Sequence, residues 1–176
     1  MSTATTAATA VTYSIDPAHS SVGFKIRHFM IAYVRGGFSG VTGEVIVDAA
    51  NPSNSKINAS IDVNTLHTYD VKRDAHVKTP DFLDAEKNPT MTFVSKKVVA
   101  DGKNQWKVTG DLTLRGVTKE VTFQGYVTFN RDGSLNGRAK TTFNWTTFGL
   151  TKPAIARLMS VSDDIELDIV FRFKRS

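Results

Sequence analysis

The sequence predicts an all-β protein: an antiparallel, up-and-down barrel of about eight strands with a short helical insert at about 70–86. From residue 22 to the end, apolar and polar residues alternate with a period of two. This period is typical of strands that bury one face. Hairpin turn signals such as Asp101-Gly102 and Asp132-Gly133 separate the alternating runs. Consecutive strands that are joined by hairpins run antiparallel.

Each alternating run indicates one strand with an apolar face. The apolar positions are Val22, Phe24, Ile26; Val45, Val47; Ile57, Ala59, Ile61, Val63; Trp106, Val108, Leu112, Leu114; Val121, Phe123, Val127, Phe129; and Ile165, Leu167, Ile169, Phe171, Phe173. Long antiparallel strands of this kind either close into a barrel that can hold one ligand or pack as a two-sheet sandwich. Strand length and hairpin order favour the barrel.

The insert departs from this period. Asp70 is suited to cap a helix over 71–78, and Pro80 cannot continue that helix. Thr79 can cap a second short helix with Pro80 in its first turn and Phe82 as a residue to bury. We therefore expect two short helices that lie against a barrel mouth or wall.

Composition bounds the organisation of the chain. A chain of 176 residues is long enough for one domain, which we expect over 13–176. Residues 1–12 are mostly small and are expected to form a disordered leader. The leader lacks the pattern of a secretory signal. A cytoplasmic protein is therefore expected, or a periplasmic or secreted one if a signal peptide was removed. No apolar run is long enough for a membrane span, so we expect no stable membrane insertion.

The chain carries little catalytic or metal-binding signal. It has no cysteine, and its four histidines, His19, His28, His67 and His76, lack the spacing of a zinc helix. We expect no metal, no cofactor and no enzymatic activity. The alternative is a small enzyme that acts on a hydrophobic substrate with His76 or His28 as the base. The net charge of +5 is scattered and most Phe lie on apolar faces, so nucleic-acid binding is not expected.

The pattern alone leaves open whether the barrel interior is filled or hollow. Phe and Val side chains could fill it completely. Small residues within the strands, namely Gly110, Gly125, Gly137 and Thr141, weigh against complete filling, because Gly interrupts a strand where something approaches closely or where the sheet bends.

Several linked motifs resemble the YceI-like, polyisoprenoid-binding family. In chain order they are Ile15-Asp16-Pro17-Ala18-His19-Ser20, Phe24-Lys25-Ile26-Arg27-His28, Val34-Arg35-Gly36-Gly37-Phe38, Arg73-Asp74-Ala75-His76-Val77, Pro80-Asp81-Phe82, Pro89-Thr90-Met91-Thr92-Phe93 and Gly110-Asp111-Leu112-Thr113-Leu114-Arg115-Gly116-Val117-Thr118. The resemblance runs from about Tyr13 to the end of the chain. It implies a lipocalin-like eight-stranded barrel with a long apolar pore. Proteins of this family often form dimers, so a homodimer is also expected.

The resemblance also implies non-covalent binding of a long-chain lipid, most simply an isoprenoid or a quinone, for storage, carriage or sensing. The expected ligand-binding residues are one polar pair and a set of aromatic residues: Arg73, His76, Phe82, Phe24, Phe38, Phe93, Phe123, Phe129, Phe143 and Phe171. Arg73 and His76 are three residues apart on the predicted helix and share a face, so they could hold a polar head group. In the competing interpretation both residues are structural: Arg73 stabilises the helix, and His76 packs against the rest of the protein.

Overall fold

Ten antiparallel β-strands form one continuous sheet in a computed structural model, which describes residues 10–152 and 154–176, without the side chains of 155 and 156. The strands are β1 Val11–Ile15, β2 Ser21–His28, β3 Ala32–Phe38, β4 Val41–Val47, β5 Lys56–Asp62, β6 Thr90–Ala100, β7 Gln105–Leu114, β8 Val117–Phe129, β9 Leu135–Asn144 and β10 Asp164–Arg175. Two short helices are α1 Val71–Val77 and α2 Ala154–Leu158.

The sheet closes into a barrel through β10. One edge of β10 pairs with β9, and the other edge pairs first with β2 and then with β1. Because β1 pairs with β4 and β2 pairs with β3, β1–β2 and β3–β4 are two long strands that are each interrupted once. The ten segments therefore make eight barrel strands. The predicted up-and-down eight-stranded barrel is confirmed, and the alternative sandwich is not what the chain adopts.

The first interruption has a chemical cause at Asp16-Pro17. Proline cannot donate to a sheet ladder, and Pro17 begins a short 3-10 helix that Asp16 caps by accepting from the Ala18 N–H. The Asp16 carboxylate also contacts Lys174 Nζ at 2.7 Å and His19 Nδ1 at 2.9 Å. These bonds fasten the interruption to the end of β10. They lower the pKa of Asp16 from 3.8 to about 2, with the Lys174 hydrogen bond as the largest cause.

Asp16→Asn is expected to lower the melting temperature near neutral pH, by an amount that shrinks as the pH falls from about 4 towards 2. The folded-state pKa is the lower one, so this stabilisation is complete above the ordinary pKa of 3.8 and is lost as the carboxylate protonates through about 2. Thermal unfolding followed by circular dichroism across this range measures the difference. Lys174→Met keeps the carboxylate but removes its main partner, and should reproduce much of the loss. A pH-independent difference would contradict the assignment.

The structure confirms the helix predicted for the first half of the insert but not the one predicted for its second half. α1 is capped by Asp70, which accepts from the backbone N–H groups of Lys72 and Arg73 at 3.0 Å each. The second helix predicted after Thr79 is wrong, because the chain forms successive turns there. Asp84 has φ +49°, a left-handed conformation that no α-helix allows. Its N–H bonds back to the Thr79 carbonyl at 2.9 Å, which folds the segment against the end of α1.

The chain leaves the sheet after β9, which ends at Asn144 and is followed by a 3-10 helix at Trp145–Phe148. The Asn144 side chain accepts from the Thr146 N–H at 2.9 Å and caps this helix. Trp145 and Phe148 are buried, so this helix turns two aromatic side chains into the core.

The expected leader at 1–12 is too long by at least two residues. Val11 and Thr12 pair with Val47 and Ile46 of β4 and are part of the barrel. Residues 1–9, on which most of the leader falls, lie outside the described residues.

Candidate ligand-binding site

One end of the barrel is filled by its own connections. The β2–β3, β5–β6, β7–β8 and β9–β10 connections all lie at this end, because neighbouring strands are antiparallel. The long connections at 63–89 and 145–163 contribute buried apolar residues to the same cluster as the strands. The buried residues from these connections are Val63, Leu66, Leu83, Ala85, Trp145, Phe148 and Leu150. We call this the closed end.

An apolar cavity of about 200 Å³ lies inside the rest of the barrel. Its wall is made mainly by inward-facing aliphatic and aromatic residues from β4 to β10. They include Val45, Val47, Ile57, Ala59, Ile61, Phe93, Val98, Trp106, Val108, Leu112, Phe123, Val127, Phe129, Leu135, Ala139, Leu167, Ile169, Phe171 and Phe173. Alternate residues of a strand point to the same side of the sheet. The alternation in the sequence therefore becomes a continuous apolar lining.

The cavity reaches the barrel end opposite the closed end. Some of its lining residues stand within or beside the β4–β5, β6–β7 and β8–β9 connections: Val47, Ser55, Trp106, Phe129 and Leu135. Phe129 lines the cavity and is nevertheless 51% exposed, which places it at a rim. We call this end the mouth.

Four of the predicted ligand-binding residues line the cavity: Phe93, Phe123, Phe129 and Phe171. Phe93 and Phe123 meet edge to face, with ring centroids 5.1 Å apart. Phe171 is 5.2 Å from the ring of Phe173 in the same arrangement. Offset and edge-to-face pairs are the favoured aromatic geometries, so these rings stabilise one another in the wall. The inward placement of Phe171 in β10 agrees with the sequence pattern.

The structure does not bring the other four aromatic candidates to the cavity. Phe24, Phe38 and Phe143 face inward but pack with the cluster at the closed end. Phe82 lies in the insert and packs against Trp145, with ring centroids 5.1 Å apart. The sequence pattern predicts which side of the sheet a residue faces. It does not predict whether the neighbours at that height leave open space.

Arg73 and His76 are likewise not among the cavity-lining residues. They lie on α1, within the connection that packs onto the closed end and away from the mouth, so their role in holding a head group stays a prediction. The Arg73 guanidinium donates to the hydroxyl and the carbonyl of Thr68, at 2.8 and 2.7 Å. Thr68 in turn donates to Asp74 through its N–H and its hydroxyl. This network fixes the start of the helix, while His76 is exposed.

The predicted ligand-binding residues do not include the aliphatic lining or Trp106. The signal is present in the sequence, because Trp106 and Val108 share the apolar face of their run, as do Leu167 and Ile169. A prediction restricted to Phe among the apolar residues leaves them out. An apolar wall needs no particular residue type, since the hydrophobic effect depends on the buried area.

The charged residue that lines the cavity, Arg138, is paired with a carboxylate on the outer surface of the barrel. Arg138 contributes to the cavity wall, but its guanidinium forms a bidentate pair with Asp168. The hydrogen bond from Arg138 is the main reason that the pKa of Asp168 is lowered. Among the described residues, no group of three or more acidic or histidine side chains is placed to hold a metal ion. No helix in the described ranges is both long and apolar enough to cross a membrane.

The closed antiparallel barrel and its apolar interior place this chain in the class of lipocalin-like barrels. The chain belongs to the YceI-like family, because the profile of the YceI-like domain matches residues 13–173. A UPF0312 protein of Pseudomonas putida strain W619 is 37% identical over 171 residues, which cover 92% of this chain and 85% of the relative.

Two solved structures share the fold. The crystal structure of Burkholderia cenocepacia BcnA has a TM-score of 0.82 at 24% identity, over 90% of this chain and 98% of BcnA. A polyisoprenoid-binding domain from Saccharophagus degradans has a TM-score of 0.71 at 16% identity, over 94% of this chain and 99% of that domain.

Proposed function

We propose that this protein binds one long-chain apolar lipid, most simply an isoprenoid or a quinone, without covalent chemistry. The observation that carries the proposal is the continuous apolar lining of a cavity that reaches the mouth of the barrel. Family membership and the fold shared with a polyisoprenoid-binding domain support the ligand class. Storage, carriage and sensing are all uses of such a complex.

The energetics favour a tail over a compact ligand. Burial of one methylene is worth roughly 0.8 kcal/mol, so a tail of about ten carbons gains about 8 kcal/mol before the costs of association. Each further methylene adds to this gain, so a long tail can exceed the costs of association and remain bound through purification. A polar metabolite would find almost no hydrogen-bonding partner along this wall, and burial of an unpaired polar group is unfavourable.

The alternative of a small enzyme receives less support. An acid–base mechanism needs a titratable group within reach of the bound substrate. His76 is exposed on α1, and His28 lies at the end of β2 beside Phe29. Neither histidine lines the cavity. We therefore propose binding as the whole activity of the cavity.

Native mass spectrometry of freshly purified protein, followed by organic extraction, tests the proposal. We expect a bound species that is released as an unmodified lipid, and a rise in melting temperature when prenyl lipids or quinones are added. An empty extract without a thermal shift would count against lipid binding. Release of a chemically altered lipid would favour the enzyme.

The expected homodimer and the expected compartment stay predictions. Light scattering coupled to gel filtration measures the first, and cell fractionation measures the second.

A further inference from the structure

Trp106 differs from most of the cavity wall because its side chain carries a polar atom, as do those of Ser55, Thr92, Tyr126 and Arg138. It is the second residue of β7 and stands opposite Gly125 of β8, another lining residue. A side chain at Gly125 would collide with β9, because its Cβ would lie 2.2 Å from the Arg138 carbonyl oxygen. Trp106 is also one of the residues that form the mouth, so its ring lies at the boundary between the apolar wall and the loops.

The indole N–H of Trp106 is buried and has no hydrogen-bond partner within the described part of the chain. The second tryptophan provides a direct comparison, because Trp145 Nε1 donates to the Ser162 carbonyl at 2.9 Å. Four other residues carry a buried side-chain atom without a partner: His28, Asp84, Asn136 and Arg172. None of these four lines the cavity.

An unpaired buried donor is unfavourable, and buried tryptophan N–H groups usually find an acceptor. Phenylalanine at this position would line the cavity without that cost. The missing partner can be an acceptor that arrives with the ligand and displaces the side chains that now cover the N–H. This step rests on the proposed function, because it assumes that a lipid occupies the cavity.

We infer that Trp106 selects lipids that carry an uncharged oxygen acceptor, such as a ketone, quinone, ester or alcohol, at the end that lies near the mouth. A single neutral N–H suits a carbonyl or hydroxyl oxygen. A pyrophosphate would need cations in the wall. Arg138 is the one charged side chain among the described lining residues, and Asp168 already engages its guanidinium.

The test compares ligands that share one tail and differ only in the head. Farnesylacetone carries a ketone, and the matched isoprenoid hydrocarbon lacks it. Unchanged protein should bind the ketone roughly tenfold more tightly, the range expected for one buried hydrogen bond. Trp106→Phe keeps an aromatic wall without the donor, and should abolish or reverse that preference while hydrocarbon affinity stays the same, because the buried ketone then has no partner. Farnesyl pyrophosphate should bind more weakly than the ketone.

Trp145→Phe is the matched control, because it removes a tryptophan whose N–H is already satisfied at the closed end. It should keep the preference for the ketone even if it lowers the melting temperature. Nitrogen-15 labelling of the indoles gives a second measurement that does not depend on affinity. The two variants assign the two indole N–H resonances, and the Trp106 resonance should move downfield with the ketone and not with the hydrocarbon.

The outcomes separate this inference from the proposed function. If the ketone and the hydrocarbon bind equally well and the Trp106 resonance does not respond, Trp106 is a packing residue and the inference is overturned, while lipid binding stands. A loss of affinity for both ligands in Trp106→Phe would also overturn it. If neither ligand binds the unchanged protein, the inference and the proposed function both fail.

Discussion

Val127→Trp is expected to weaken lipid binding roughly fiftyfold while the barrel still folds. Val127 lies in β8 and lines the cavity, so an indole at this position would occupy space that a lipid tail needs. If it displaces about three methylenes, at about 0.8 kcal/mol each, binding loses about 2.4 kcal/mol. Titration with a prenyl lipid, followed by thermal shift or by displacement of a fluorescent lipid, measures the loss.

Thr128→Trp is the matched control for this change. Thr128 is the next residue along β8 and is exposed, because adjacent residues of a strand face opposite sides of the sheet. The same side chain is therefore added outside the barrel, and affinity should stay within about twofold of the unchanged protein, since surface substitutions usually have small effects. Equal weakening by both variants would show that the ligand does not occupy the interior.

Phe148→Ala is expected to destabilise the protein by about 3–5 kcal/mol, the range for an aromatic residue removed from a packed core. Phe148 is 1% exposed within the cluster at the closed end, where the surrounding side chains can only partly collapse into the space. The melting temperature should fall by roughly 6–20 °C for a chain of this size. Urea unfolding gives the free energy directly.

Phe171→Ala is the comparison that separates core from cavity wall. Phe171 lines the cavity and is only partly buried, so the removed ring already borders open space on one side. We expect a smaller loss of stability than for Phe148→Ala, together with weaker lipid binding. A loss as large as that of Phe148→Ala would make Phe171 a packed core residue. Unchanged stability and unchanged ligand retention would show that its assigned face is wrong.

The sequence by itself determined the strands and the side of the sheet that each residue faces. The alternation in Ile165, Leu167, Ile169 and Phe171 is a local property, and a slip of one residue would turn all of them outward. Local chemistry likewise determined the start of α1, where Asp70 caps the helix. Hairpin signals then gave the antiparallel order.

Only the tertiary structure decided how the barrel closes and where its space lies. Closure depends on β10 pairing with β1 as well as with β2, which is a contact between the two ends of the chain that no local pattern encodes. Phe38 and Phe123 both face inward and belong to the same buried cluster, but of the two only Phe123 borders the cavity. The space that the long connections leave open inside the barrel is set by the packing of distant segments. Period-two alternation carries no information on the height of a residue along the barrel axis, or on what packs beside it.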